Sequence, residues 1–220
     1  MIPSLVLAAA LLGSAQTAPA PGAASARPAA ASAEAIAILQ SFDARSRTIR
    51  DFTAGFTQEY RSGALGRGIV EKGTVKVKRP SKMRFEYASP EKKLFVADGE
   101  TYSFYVPRDR QVMVQNQRGD RRATARILAE GRLLEHFDCT GEEKDPLGRK
   151  FVLVPKAGEK DANVTRIAVV LDASLHLLAL EIKDAEGSTS RMVFSAFKEN
   201  VGLKDSEFRF DVPKGVEVIS

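Results

Sequence analysis

The chain has 220 residues, 44% of them hydrophobic and 28% charged, with a formal net charge of +5, one cysteine and no tryptophan. A lone cysteine excludes an internal disulfide and a cysteine-rich structural zinc site, so the fold must rest on its core. The basic residues are spread along the sequence and form no block interleaved with aromatics, which argues for a mildly basic solvated surface and against a nucleic-acid interface.

The first element is the run Leu5-Val6-Leu7-Ala8-Ala9-Ala10-Leu11-Leu12, followed by Gly13-Ser14-Ala15. This is the pattern of a signal peptide, residues 1–15, with a small-residue cleavage site after Ala15. The run is shorter than the roughly 20 residues that span a bilayer. Residues 16–33 are dominated by Ala, Pro and Ser, with Arg27 as their one charge, and read as a flexible linker. From Glu34 the composition is that of a folded domain, residues 34–220. The residue after Ala15 is Gln16 rather than a cysteine, so the cleaved chain is expected to carry no N-terminal lipid.

Ala35 to Arg47 places Ile38, Leu39 and Phe42 at helical spacing, and Ser32 is positioned to cap that helix. Phe52 to Tyr60 has strand chemistry, with Phe52, Ala54 and Phe56 in one phase. After a glycine-rich loop, Val75 and Val77 alternate with lysines until Arg79-Pro80. Met83, Phe85 and Tyr87 then alternate with Arg84 and Glu86 until Ser89-Pro90. Leu94 to Ala97 leads into Asp98-Gly99, a hairpin signal, and Thr101 to Val106 returns. Arg110 to Gln115 adds a strand, and Thr124 to Leu134 reads as a helix interrupted at Gly131. Strands are expected again at Phe151–Pro155, Val164–Leu171, Leu177–Lys183, Ser190–Phe197 and Leu203–Phe210. Hairpin-length turns join them, so the sheet is expected to be antiparallel. The fold class is mainly β with two or more helices. Its interior is either a dry core plugged by the helices or an incomplete barrel with a lipid-sized cavity under a helical lid.

Motifs for chemistry are missing. The sequence holds no G-x-S-x-G elbow, no H-E-x-x-H and no P-loop. His136 and Cys139 are spaced H-x-x-C, but two ligands are too few for structural zinc, and Cys139 reads as a small apolar thiol in a strand. His176 lies beside a turn. The carboxylates cluster in turns such as Asp184-Ala185-Glu186-Gly187.

In their order these segments resemble the LolA family of periplasmic outer-membrane lipoprotein carriers. The resemblance is carried by Phe52-Thr53-Ala54-Gly55-Phe56-Thr57-Gln58, Val77-Lys78-Arg79-Pro80, Met83-Arg84-Phe85-Glu86-Tyr87, Val96-Ala97-Asp98-Gly99 with Tyr105 and Pro107, and Phe208-Arg209-Phe210-Asp211-Val212-Pro213-Lys214-Gly215-Val216. It implies an open antiparallel half-barrel with a helical lid over an apolar cavity. It also implies a gate at Arg79, bonding the lid segment Thr124 to Leu134. The acyl-chain cavity would be lined by Val75, Val77, Met83, Phe85, Tyr87, Val96, Phe104, Ile127, Leu128, Phe151 and Leu153. The implied partners are acylated lipoproteins, an inner-membrane lipoprotein export complex and an outer-membrane acceptor, met by a monomeric, non-enzymatic periplasmic protein that needs no cofactor or metal. One departure stands out: Lys76 sits where the family often has tryptophan. Another lipid or hydrophobic small molecule as cargo, or a non-enzymatic regulatory binding module, are the alternatives.

Overall fold

The computed structural model describes residues 31–219, except 65, 67, 117–122 and 160–162. The expected signal peptide lies outside the described residues, as does the expected linker up to residue 30. Helix α1 (Ala33–Thr48) begins where the linker was expected to end, with the Ser32 hydroxyl accepting the Ala35 amide at 3.1 Å. Its buried stripe is Ala35, Leu39, Phe42, Asp43 and Ser46.

The strands form one sheet. In chain order they are β1 (Asp51–Arg61), β2 (Gly68–Lys78), β3 (Lys82–Ser89), β4 (Lys93–Ala97), β5 (Thr101–Val106), β6 (Gln111–Asn116), β7 (Phe137–Asp145), β8 (Gly148–Pro155), β9 (Val164–Leu171), β10 (Leu177–Asp184), β11 (Thr189–Glu199) and β12 (Glu217–Ile219). Across the sheet the order is β12-β6-β5-β4-β3-β2-β1-β11-β10-β9-β8-β7. The end strands β12 and β7 are not joined, so the sheet is open. Two meanders, β2–β6 and β7–β11, flank the central β1. That strand pairs with β2 on one side and with β11 on the other.

The period-2 alternation decides what each face carries. Pairing Phe52 with Val77, Val77 with Met83 and Met83 with Ala97 puts all four on the inner face, as does the row Val75, Phe85, Phe95 and Phe104. On the other meander, Leu180, Val169 and Phe151 form a matching row. Apart from the half-buried Phe104, these residues make one core with α1 and the segment 123–133. Gly73 is required there: a β-carbon on it would lie 2.1 Å from the Glu86 carbonyl oxygen and 2.8 Å from the Phe56 ring.

Three strand expectations are corrected. Leu203 to Phe210 is not a strand. It is a strap across the outer face, containing the 3-10 turn Asp205–Phe208. Glu207 pairs with Lys76 at 2.7 Å, Asp205 with Lys78 at 2.6 Å, and Phe208 is fully buried. Side-chain charges hold this segment where ladder bonds would otherwise be expected. The sheet is also not wholly antiparallel, because β12 runs parallel to β6, with Glu217 opposite Gln111. Finally, β7 went unread: only Phe137 and Cys139 show an apolar phase before the bulge at Gly141 shifts the register into a charged run.

Replacing Phe208 with Ala is expected to lower stability by about 3–5 kcal/mol, the range for a buried aromatic truncated to Ala. Urea unfolding measures the loss, and limited proteolysis should show earlier cutting in residues 201–216.

Candidate functional site

The site lies where the ends of α1, β2 and a short lid meet. The lid is a wide π-helical turn, Ala125–Glu130, stopped by Gly131 in the left-handed conformation at φ 67°, and followed by helix α2 (Leu133–His136). Ala125, Ile127, Leu128 and Ala129 are all buried. A segment this short leaves most of its carbonyls without helical partners, so something else must satisfy them.

Arg79 does so. It follows the last residue of β2, and its own amide donates to the Arg50 carbonyl at 2.9 Å. Its Nε donates to the Leu128 carbonyl oxygen at 3.3 Å and its Nη1 to the Ile49 carbonyl oxygen at 3.2 Å. One planar group therefore ties the lid to the C-terminal end of α1. Burial pushes the guanidinium pKa down to about 10, while the charges of Glu199 and Asp43 act in the opposite sense, so it stays protonated at neutral pH. Gly131 makes the approach possible. A β-carbon there would lie 2.7 Å from Arg79 Cζ and 2.9 Å from its Nη1.

A second clamp comes from α1. The buried Asp43 carboxylate accepts the Leu133 amide through Oδ1 and the Leu134 amide through Oδ2, both at 2.9 Å. Burial raises its pKa, with the two amides opposing. α1 is itself fixed to β11 by the two-pronged pair between Arg45 and Glu199, at 2.8 and 2.9 Å. On its polar side the lid is tied by charge. Arg126 pairs with Glu159 at 2.6 Å and contacts His136 Nδ1, and His136 Nε2 lies 2.9 Å from Glu130.

Beneath the clamps the free space is small, about 20 Å³ between Phe42, Ile49, Phe52, Leu128 and Leu177. At this spot the lid's Ile127 and Leu128 lie directly against the residues beneath them. A roomier depression of about 520 Å³ lies elsewhere, against β7–β9 beside Glu142 and Arg166, away from this apolar face.

Of the residues expected to line the cavity, Val75, Val77, Met83, Phe85, Ile127, Leu128, Phe151 and Leu153 meet in one buried core. Tyr87 packs against its edge, and Phe104 is half-buried opposite Phe95 on the same face. Val96 is a correction. It pairs with Arg84, so it points to the outer face, where it is buried, and its neighbours Phe95 and Ala97 face inward. Cys139 is a partly buried free thiol in β7, its pKa raised by burial. His176 Nδ1 lies 2.8 Å from Asp172 in the β9–β10 turn. Among the described residues no cluster of His, Cys, Asp or Glu could hold a metal ion. The sequence pattern does not reveal Asp43 as a clamp, and it marks Gly131 only as a helix interruption. Asp43, one position past Phe42 on a helix, looks like a solvent residue, and only Gly131's place after an apolar helical stretch hints at a left-handed cap.

The site is thus an apolar sheet face covered by a small lid that one guanidinium holds through backbone carbonyls. The chain belongs to the LolA family: the model for "outer membrane lipoprotein carrier protein LolA" matches residues 47–211. Proteins named outer-membrane lipoprotein carrier protein are similar along most of their length. The one from Cupriavidus necator is 32% identical over 187 residues, covering 82% of this chain and 85% of its own. That from Methylibium petroleiphilum is 31% identical over 192 residues, covering 87% and 92%. Among solved structures, a LolA superfamily protein from Nitrosomonas europaea aligns with a TM-score of 0.46 at 14% identity, over 80% of this chain and 96% of that one. Among the described residues no helix is long and apolar enough to cross a membrane.

Replacing Gly131 with Ala is expected to destabilise the protein by about 1–2 kcal/mol, the cost of a left-handed non-glycine residue. It should also loosen the lid, since the β-carbon displaces Arg79. Urea unfolding gives the first quantity. Faster hydrogen exchange of the residue 131 amide, which bonds the Arg126 carbonyl at 3.2 Å, gives the second.

Asp43 predicts a pH trend. Its folded pKa stands above the 3.8 of an exposed carboxyl, so ionising it weighs on the folded state. Its contribution to stability is greatest below 3.8 and falls as pH climbs through the raised value. Asp43→Asn removes that titration but loses one acceptor. The difference in stability, wild type minus Asp43→Asn, should therefore decline as pH rises from about 3.5 to the raised value and then level off. Urea titrations at several pH values check the sign.

Proposed function

We propose that the protein is a periplasmic carrier that takes the acyl chains of lipoproteins from an inner-membrane export complex, shields them on the inner face of its sheet, and delivers them to an outer-membrane acceptor. One observation carries the reading. Arg79 holds the lid through a carbonyl bond at 3.3 Å over a spot with only about 20 Å³ of free space, so cargo that enters there displaces the lid. Acyl methylenes then replace Ile127 and Leu128 against the sheet, each buried CH2 contributing about 0.8 kcal/mol. The bonds from Arg79 re-form when the face is empty of cargo, which favours release. Family membership and the similarity to named lipoprotein carriers along most of their length support the same reading.

The test is release and transfer. The mature protein, incubated with inner membranes carrying labelled lipoprotein and an energised export complex, is expected to yield a soluble one-to-one complex. If it takes up fatty acids or other amphiphiles and never lipoprotein, the cargo is of another class. In the same assay Arg79→Leu should load but pass cargo to acceptor membranes at least tenfold less well. A charge-assisted hydrogen bond is worth about 1.5–3 kcal/mol, and that stabilisation of the empty state is lost. Arg79→Lys should fall between, keeping the charge without the planar fork. Equal transfer by all three would remove Arg79 from the mechanism.

A further inference from the structure

The inner face is not apolar from end to end. From the lid outward, β1 presents Phe52, Ala54 and Phe56, and the same phase then presents Gln58. Gln58 stands opposite Glu71 on β2, Gly73 opposite Tyr87 on β3, and Tyr87 opposite Lys93 on β4, so all these side chains share the face of the core. They are bonded to one another. The Tyr87 hydroxyl donates to Gln58 Oε1 at 3.1 Å, and Gln58 Nε2 donates to Ser190 Oγ at 2.8 Å. Lys93 Nζ donates to Glu71 Oε1 at 2.5 Å and stands 5.8 Å from the centre of the Tyr87 ring. The other side of that ring packs edge-on against Phe56, 5.1 Å between centroids, so the polar band abuts the core directly.

This pairing is a poor device for stability. The Lys93 and Glu71 side chains are only 24% and 12% exposed, and an ion pair taken that far out of water recovers in attraction little more than it loses in hydration. On a surface built to hold grease, a hydrophobic pair would serve better. The band suits a ligand whose apolar part is joined to a polar one. Glu71 takes one of the three ammonium hydrogens of Lys93, and Ser190, which accepts from Gln58, keeps its own hydroxyl hydrogen to donate. Burial holds the Tyr87 phenol neutral by raising its pKa far above the ordinary value. The donors that remain suit uncharged carbonyl oxygens. Glu71 disfavours an anionic head such as a free carboxylate or phosphate. Placement agrees: from Gln58 to Phe52 along β1 is roughly 20 Å at about 3.3 Å per residue, comparable with an extended long acyl chain.

We propose that Lys93, Ser190, Gln58 and Tyr87, with Glu71 as the counter-charge of Lys93, bind the ester- and amide-bearing head of an acylated ligand while its tails run along the inner face to the lid. Tails anchored there reach Leu128 with their far ends, so the carbonyl bond of Arg79 reports on full-length chains. This assignment rests on the carrier reading above.

The experiment compares two probes on the mature protein: a synthetic triacylated cysteinyl peptide and a pyrene-labelled alkane of matched chain length, which has no head. Lys93→Met and Gln58→Leu are expected to weaken the triacylated peptide about tenfold and to leave the alkane unchanged or tighter. Tyr87→Phe, which removes one hydroxyl and keeps the ring, should show the same split more weakly and serves if a larger change impairs folding. Equal weakening of both probes, or no change for the peptide, would overturn the head site. Wild type that binds the alkane but not the peptide would overturn the lipoprotein reading, and with it this one.

Discussion

One guanidinium ties the lid and the end of α1 to the sheet. Arg79 sits at the end of a strand in the middle of the sheet and meets the carbonyls of Leu128 and Ile49, which belong to the lid and to the end of α1. Nearly everything else at that end of the molecule supports the contact. Gly131 withholds a side chain so that the guanidinium can lie against it, Arg45 and Glu199 fix α1 to β11, and Asp43 holds the first turn of α2. α1 is therefore the hub: lid and α2 are both fastened to it, by different residues and with opposite charge. A ligand that displaces the lid breaks the Arg79 bonds without needing to disturb Asp43.

Such a contact is weak enough to be reversible. Its partners are neutral carbonyls rather than a carboxylate, so the ion pair holding the lid lies at its other side, between Arg126 and Glu159. Glu199, already paired with Arg45, still lowers the potential around Arg79 from nearby. The lid itself contributes mainly Ile127 and Leu128, whose burial a hydrocarbon can replace in kind. On the proposed carrier mechanism, exchange of like for like keeps the two states close in free energy.

Much of this was legible in the sequence because strands on a half-buried sheet advertise themselves by alternation. Val75 and Val77 against lysines, and Met83, Phe85 and Tyr87 against Arg84 and Glu86, gave both the strands and the face that turns inward. The method failed where alternation failed. Leu94-Phe95-Val96-Ala97 is apolar at every position because both faces of that strand are covered, one by the core and one by the strap with Phe208, so the phase of Val96 could not be read. The strap had the composition of a strand but is held by lysine–carboxylate pairs formed across 127 to 131 positions of chain, which no local pattern reveals. β7 was hidden by its bulge and its charges. At the site, Arg79 was legible from the resemblance, while Asp43 was not, since a carboxylate on a helix looks alike whether it faces water or two amides of another segment.

The seam between β1 and β11 has a consequence for how the chain can fold. Each meander is built of neighbours in sequence and can form as it is synthesised. β1, however, must wait for β11, whose Ser195 pairs with Gly55 and whose Thr189 pairs with Arg61. Until then one long edge of β1 stands open, and joining residues so far apart is slow because loop closure precedes any gain from contact. The final segment, with Phe208, closes over the outer face only after β2–β6 are in place. A nascent chain shortened by some twenty residues would thus hold its central seam but leave Val112 and Val96 uncovered. The covering of the outer face is therefore the last step, made by the strap with Phe208 on the side opposite the core.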